Sequence, residues 1–145
     1  MSPISRCLRA LTCLVALGAL TAWLEGCGPS AAGCPKFQSL MQEAACSDGP
    51  PVEMAPHYSA VLRGRILSGG VPVEDATVVA EVFDWRVHQT AVSDHQGVFQ
   101  FEDLRPETYR IVICRKGFRP LVGFAFVSND YLERPLMAEL QPAVR

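Results

Sequence analysis

From Tyr58 onward, apolar and polar residues alternate in short runs broken by Gly, Pro and Asp, the pattern of an all-β sandwich. The runs predict seven strands, near 59–67, 76–83, 87–93, 97–101, 108–115, 119–127 and 132–140. In the second of these, Ala76, Val78, Ala80 and Val82 alternate with Thr77, Val79, Glu81 and Phe83. The first set is smaller and more uniformly apolar, so it is assigned to the core. Phe99 and Phe101 flank Gln100, and Tyr109, Ile111 and Ile113 alternate with Arg110, Val112 and Cys114, which gives two more inward faces. Asp94-His95-Gln96-Gly97 predicts a tight hairpin: the aspartate accepts local backbone hydrogen bonds and the glycine tolerates positive φ. Gly69-Gly70 also reads as a hairpin turn rather than a phosphate cradle. Pro120 and Pro135 place the starts of their strands at edges or corners.

Ahead of Tyr58 the period changes. Phe37, Leu40, Met41, Ala44 and Ala45 follow the i, i+3, i+4, i+7, i+8 spacing of an amphipathic helix, with Pro35 at its first turn. Residues 46–57 contain Gly49, Pro50, Pro51 and Pro56 and no apolar period, so they read as a semi-rigid linker or crossing loop. At the start of the chain, Arg6 and Arg9 precede an apolar run from Ala10 to Leu24, which ends in Leu24-Glu25-Gly26-Cys27. This segment resembles the export signal of bacterial lipoproteins, in which a cysteine after a small residue is acylated and becomes the mature first residue. The 15 residues of the run fall short of the ~20 needed to span a bilayer. Leu24 does not suit an ordinary secretory cleavage site, and Glu25 departs from the small residue usual in the lipoprotein pattern. The expected division is a signal at 1–26, a lipidated lead segment at 27–57, the sandwich at 58–141 and a tail at 142–145. Cys27 would carry a palmitate-type anchor. Gly28, in place of an aspartate, points to the outer membrane of a bacterial cell envelope.

Arg6, Arg9 and Glu25 would leave with the signal, so the mature chain carries 11 basic and 14 acidic residues and a net charge of about −3. No basic patch for nucleic acid is present. Cys34, Cys46 and Cys114 remain as candidates for a disulfide, and their odd number leaves at least one thiol over. A straight helix between Cys34 and Cys46 would hold them more than ~15 Å apart, beyond the ~7 Å that a disulfide allows. A bridge from the lead segment to Cys114 is the favoured pairing, as a staple of the helix on the domain.

A family resemblance rests on Gly64-Arg65-Ile66, Val71-Pro72-Val73, Ala76-Thr77-Val78, the run Ser93 to Phe101, the run Asp103 to Ile111, and Lys116-Gly117-Phe118. In order and spacing these resemble the carboxypeptidase regulatory-like domain, over roughly Ala60 to Leu140, with Asp94 to Tyr109 the most specific part. The resemblance implies a seven-stranded transthyretin (prealbumin)-like β-sandwich used as an accessory module. Asp75 and Glu107 stand where the family commonly has glycine. The shared residues all serve packing: Leu104 would plug the end of the sandwich and Pro106 would set the corner before Tyr109 re-enters the core.

The residue types argue against catalysis. His57, His88 and His95 fall on linker, strand and turn, and with Cys114 they offer no ligand pair at helical or hairpin spacing, so neither a metal nor another cofactor is expected. Serine nucleophile elbows are absent. The hydroxyisourate hydrolases, which share the sandwich, carry a Tyr-Arg-Gly-Ser ending that Gln141-Pro142-Ala143-Val144-Arg145 lacks. Two non-catalytic functions follow. In the first, an anchored interaction or scaffold module presents Val79, Phe83 and Trp85 to an envelope protein, unless Phe37, Leu40 and Met41 cover them. In the second, a glycan- or peptide-binding module uses Trp85 and Tyr131 with Asp84 or Asn129.

Overall fold

The computed structural model describes residues 37, 40–42, 44–82 and 88–144. Among the described residues ten strands follow in order: β1 (Val52–Glu53), β2 (His57–Ser59), β3 (Arg63–Ser68), β4 (Val71–Pro72), β5 (Thr77–Val82), β6 (His88–Val92), β7 (Val98–Gln100), β8 (Thr108–Cys114), β9 (Leu121–Val127) and β10 (Leu136–Glu139). They form two sheets. The larger has the order β1-β9-β8-β5-β6, with β2 also on β9; the smaller has the order β10-β3-β4, with β7 also on β3. All seven expected strands are present, and β1, β2 and β4 are additional.

The sheets close on one core. Ala76, Val78 and Ala80 of the β5 region, Ile111 and Ile113 of β8, and Phe99 of β7 are almost wholly buried between them, with Ile66, Leu62 and Leu140. The period-2 assignment of the inward faces therefore holds. Phe99 and Phe101 meet edge to face at 6.2 Å, the favourable geometry for two rings in one core. Leu104 packs against the same cluster, and the Tyr109 hydroxyl donates to the Arg105 carbonyl at 2.9 Å, holding the corner around Pro106.

Two turns are built as their residues require. Gly69 and Gly70 have φ of 57° and 80° and join Ser68 to Val71 in a two-residue hairpin, where both central positions need positive φ. At the second turn, Asp94 Oδ1 accepts from the N–H groups of Gln96 (2.8 Å) and Val98 (2.9 Å), and Gly97 N–H donates to the Asp94 carbonyl at 2.8 Å. This turn is tight as expected, but β6 pairs with β5 and β7 pairs with β3, so it carries the chain from one sheet to the other and makes no hairpin.

The stretch read as a linker is a paired edge. Val52 and Glu53 lie parallel to Leu121 and Val122, and His57, Tyr58 and Ser59 lie parallel to Ala125, Phe126 and Val127. Between these pairings Met54, Ala55 and Pro56 oppose only Gly123 and Phe124, which makes a one-residue bulge. Met54 fills the space over Gly123. Asp48 accepts from Gly117 N–H at 2.7 Å and the Pro50 carbonyl accepts from Arg119 Nε at 2.9 Å, fastening the segment further. The tail also joins the fold at its start, through a bridge between Phe118 and Pro142.

Candidate interaction surface

The outer face of the larger sheet is ordered in rows by strand register. Thr77 lies opposite Cys114, Val79 opposite Val112 and Val112 opposite Val122. Helical backbone at 37 and 40–42 lies over these rows: Phe37 and Leu40 are buried with Val79, Val112, Cys114 and Val122 in a second apolar cluster. Val79, expected as exposed binding surface, is therefore covered by the chain's own lead segment. Phe83, Asp84 and Trp85 lie outside the described residues. The cover is held covalently, since Cys46 is joined to Cys114 with a Cα–Cα distance of 5.5 Å. Cys27 and Cys34 lie outside the described residues.

Beyond the covered rows stands an ion pair. Glu81 and Arg110 are opposite each other on β5 and β8, and the guanidinium meets the carboxylate at 2.8 Å with both side chains nearly buried. Phe124 follows on β9, with its ring edge-on to Phe37 at 5.3 Å.

The far end of this face carries aromatic residues. Tyr58 stacks on Phe126 at 4.7 Å and 10° and meets Tyr131 edge-on at 5.6 Å. Tyr58 is 49% exposed, Tyr131 41% and the adjoining Leu132 74%. The loop bearing Tyr131 and Leu132 is pinned by buried Ser59: its carbonyl accepts from Ser128 N–H at 3.2 Å and its hydroxyl from Arg134 N–H at 2.9 Å. Arg63 and Glu133 form an ion pair beside it. His57, on the same strand as Tyr58, is held below the usual histidine range by burial, opposed by a hydrogen bond with the Arg134 backbone. Of the glycan candidates, Tyr131 is in this cluster and Asn129 is exposed in its loop.

A cavity of about 410 Å³ opens at this same end of β5 and β8, with Ala80, Val82 and Tyr109 on the core-facing side and Gln89, Asp103, Arg105 and Glu107 around it. Asp103 takes φ 56° there. Burial pushes the Tyr109 phenol up, and Glu107 adds to the shift. Among the described residues no three of His, Cys, Asp and Glu gather where they could hold a metal ion.

The cluster of Tyr58 and Phe126 escaped sequence reasoning, although β9 carries its signal. Leu121, Ala125 and Val127 face the core, while Val122, Phe124 and Phe126 make an equally apolar opposite face. A strand apolar on both sides is covered on both sides or carries an exposed patch, and β9 has both along its length.

A family model of the carboxypeptidase regulatory-like domain matches residues 61–130. No curated protein matches the chain. Among solved structures, chlorocatechol 1,2-dioxygenase from Pseudomonas putida aligns over 74% of this chain and 76% of its own, at 13% identity and a TM-score of 0.37. A likeness of that degree carries no argument about this chain's activity. The order of the motifs, the two-sheet core and the family match agree, and residues 61–130 form a carboxypeptidase regulatory-like domain, a non-catalytic module with a transthyretin-like β-sandwich.

Proposed function

We propose that the protein is a lipoprotein of the bacterial cell envelope, non-catalytic as a whole, whose β-sandwich serves as an interaction or scaffold module held near the membrane. One observation supports this most: the lead segment is bound to the domain by its helical turn, the Cys46–Cys114 bond and two edge strands. A domain that holds the lead segment from Phe37 onward stays within a short stretch of chain of an anchor at Cys27. The family's motif residues favour the same reading, because Asp94, Gly97, Phe99, Phe101 and Tyr109 all serve turns and core. With Val79 covered, the surface left for a partner includes the outer face of the smaller sheet, where Met137, Arg65 and Val98 stand side by side. Crosslinking in native cells, followed by isolation and mass spectrometry, tests the reading. One envelope protein recovered in quantity supports it, and recovery of this chain alone counts against a scaffold role.

A further inference from the structure

The direction of the lead segment across the larger sheet relates the anchor to the aromatic cluster. Phe37 sits on Phe124, the middle residue of β9, while Cys46 is bonded to Cys114 at the end of β8 that lies beside the start of β9. From Phe37 to Cys46 the lead segment therefore runs away from the side of the sheet that bears Tyr58, Phe126, Tyr131 and Leu132, and its earlier described residue is the nearer to that side. Phe124 and Phe126 are two residues apart on one face, about 7 Å. Only nine residues lie between Cys27 and Phe37, so the two are at most ~36 Å apart.

We propose that this aromatic end of the sandwich rests in the interfacial layer of the same membrane that holds the anchor. The inference rests on the reading of Cys27 as lipidated. Tyrosine suits such a layer because its ring is apolar and its hydroxyl keeps a hydrogen bond to water or headgroups. Leu132, 74% exposed beside the rings, is placed to enter the acyl boundary. Of the ionic groups near the patch, Arg63 and Glu133 pair with each other, and Glu107 stands at the same end, its carbonyl accepting from Val127 N–H at 2.9 Å, so the contact rests on apolar area and draws no attraction from anionic lipid. A patch of this size would not hold a free protein on a bilayer. A short tether raises its effective concentration to about the millimolar range, where a weak contact is enough to set orientation.

The test uses the mature anchored chain in vesicles of phosphatidylethanolamine and phosphatidylglycerol containing brominated lipid. Trp85→Phe supplies the background, with Tyr131→Trp as the reporter and Val71→Trp, beside the opposite end of β3, as the control. The expected result is quenching of the Tyr131→Trp reporter several-fold greater than that of the Val71→Trp control, unchanged by salt and at least halved by Leu132→Asp. Equal quenching of the two indoles overturns the proposal, as does a shift of the reporter's emission by cell-wall oligosaccharide with no quenching by vesicles. Flotation and the mass of the N-terminal peptide report lipidation separately. If the chain does not float, the lipidation reading fails, and coupling Cys27 to a maleimide lipid in a Cys34→Ser background lets the same two quenching outcomes decide the membrane contact.

Discussion

Gly97 and Ile66 lie backbone to backbone: Ile66 N–H donates to the Gly97 carbonyl at 2.8 Å, and a Cβ on Gly97 would overlap the Ile66 carbonyl oxygen. Gly97 also takes φ 74°, a conformation that costs an L side chain roughly 1–2 kcal/mol. Gly97→Ala is expected to destabilise the domain by about 3 kcal/mol or more, since that cost adds to an overlap with the main chain of fully buried Ile66. Urea unfolding of the two proteins checks this, and a loss under about 1 kcal/mol would refute the clash.

The pair of Glu81 and Arg110 makes a sharper contrast. Glu81→Ala removes the carboxylate that a nearly buried guanidinium meets at 2.8 Å and is expected to cost about 3 kcal/mol. Replacing both partners by apolar residues of similar size, as in Glu81→Leu with Arg110→Met, is expected to recover most of that loss. A double-mutant cycle by thermal unfolding measures the difference.

Removal of the disulfide tests how firmly the lead segment is held. The bond closes a loop with a sequence separation of 68, for which chain entropy sets an upper value of about 4 kcal/mol. Cys46→Ala is expected to lower stability by up to that amount and to speed proteolysis at 40–50. A non-reducing peptide map should join the peptides of Cys46 and Cys114; one joining Cys34 to Cys46 would contradict the structure.

His57 gives the stability a pH dependence. Burial keeps its imidazole below the ordinary value of 6.5, and its Nε2 has no hydrogen-bond partner among the described residues. The unfolded chain therefore takes up a proton near pH 6.5 while the folded one does not, so this contribution is full above 6.5 and is lost as pH falls below it. The urea midpoint of the parent should drop more between about pH 7.5 and 5.5 than that of His57→Gln. Parallel profiles would remove His57 from the account.

The seven main strands, the inward faces of β5, β7 and β8, and both turns could be read in the chain, because alternation and turn chemistry are local properties. The family's glycine positions were readable too, and the structure explains one departure: Asp75 takes φ 56°, a conformation aspartate reaches more easily than most side chains. The paired edge at 52–59 was not readable. A short edge strand draws its hydrogen bonds from β9 and tolerates prolines whose missing N–H points outward, so its composition is that of a linker.

What the sequence by itself determined is what near neighbours along the chain decide: an all-β sandwich, its core faces, and a cysteine-bearing export signal as an expectation. Only the tertiary structure decided that Val79 is covered, that Cys46 reaches Cys114, that the Asp94–Gly97 turn changes sheets, and that Tyr58, Phe126 and Tyr131 meet at one end. Each depends on which distant segments share a face. The burial of apolar surface that drives such contacts has no direction, so one alternating pattern is compatible with several partners until the whole chain has packed.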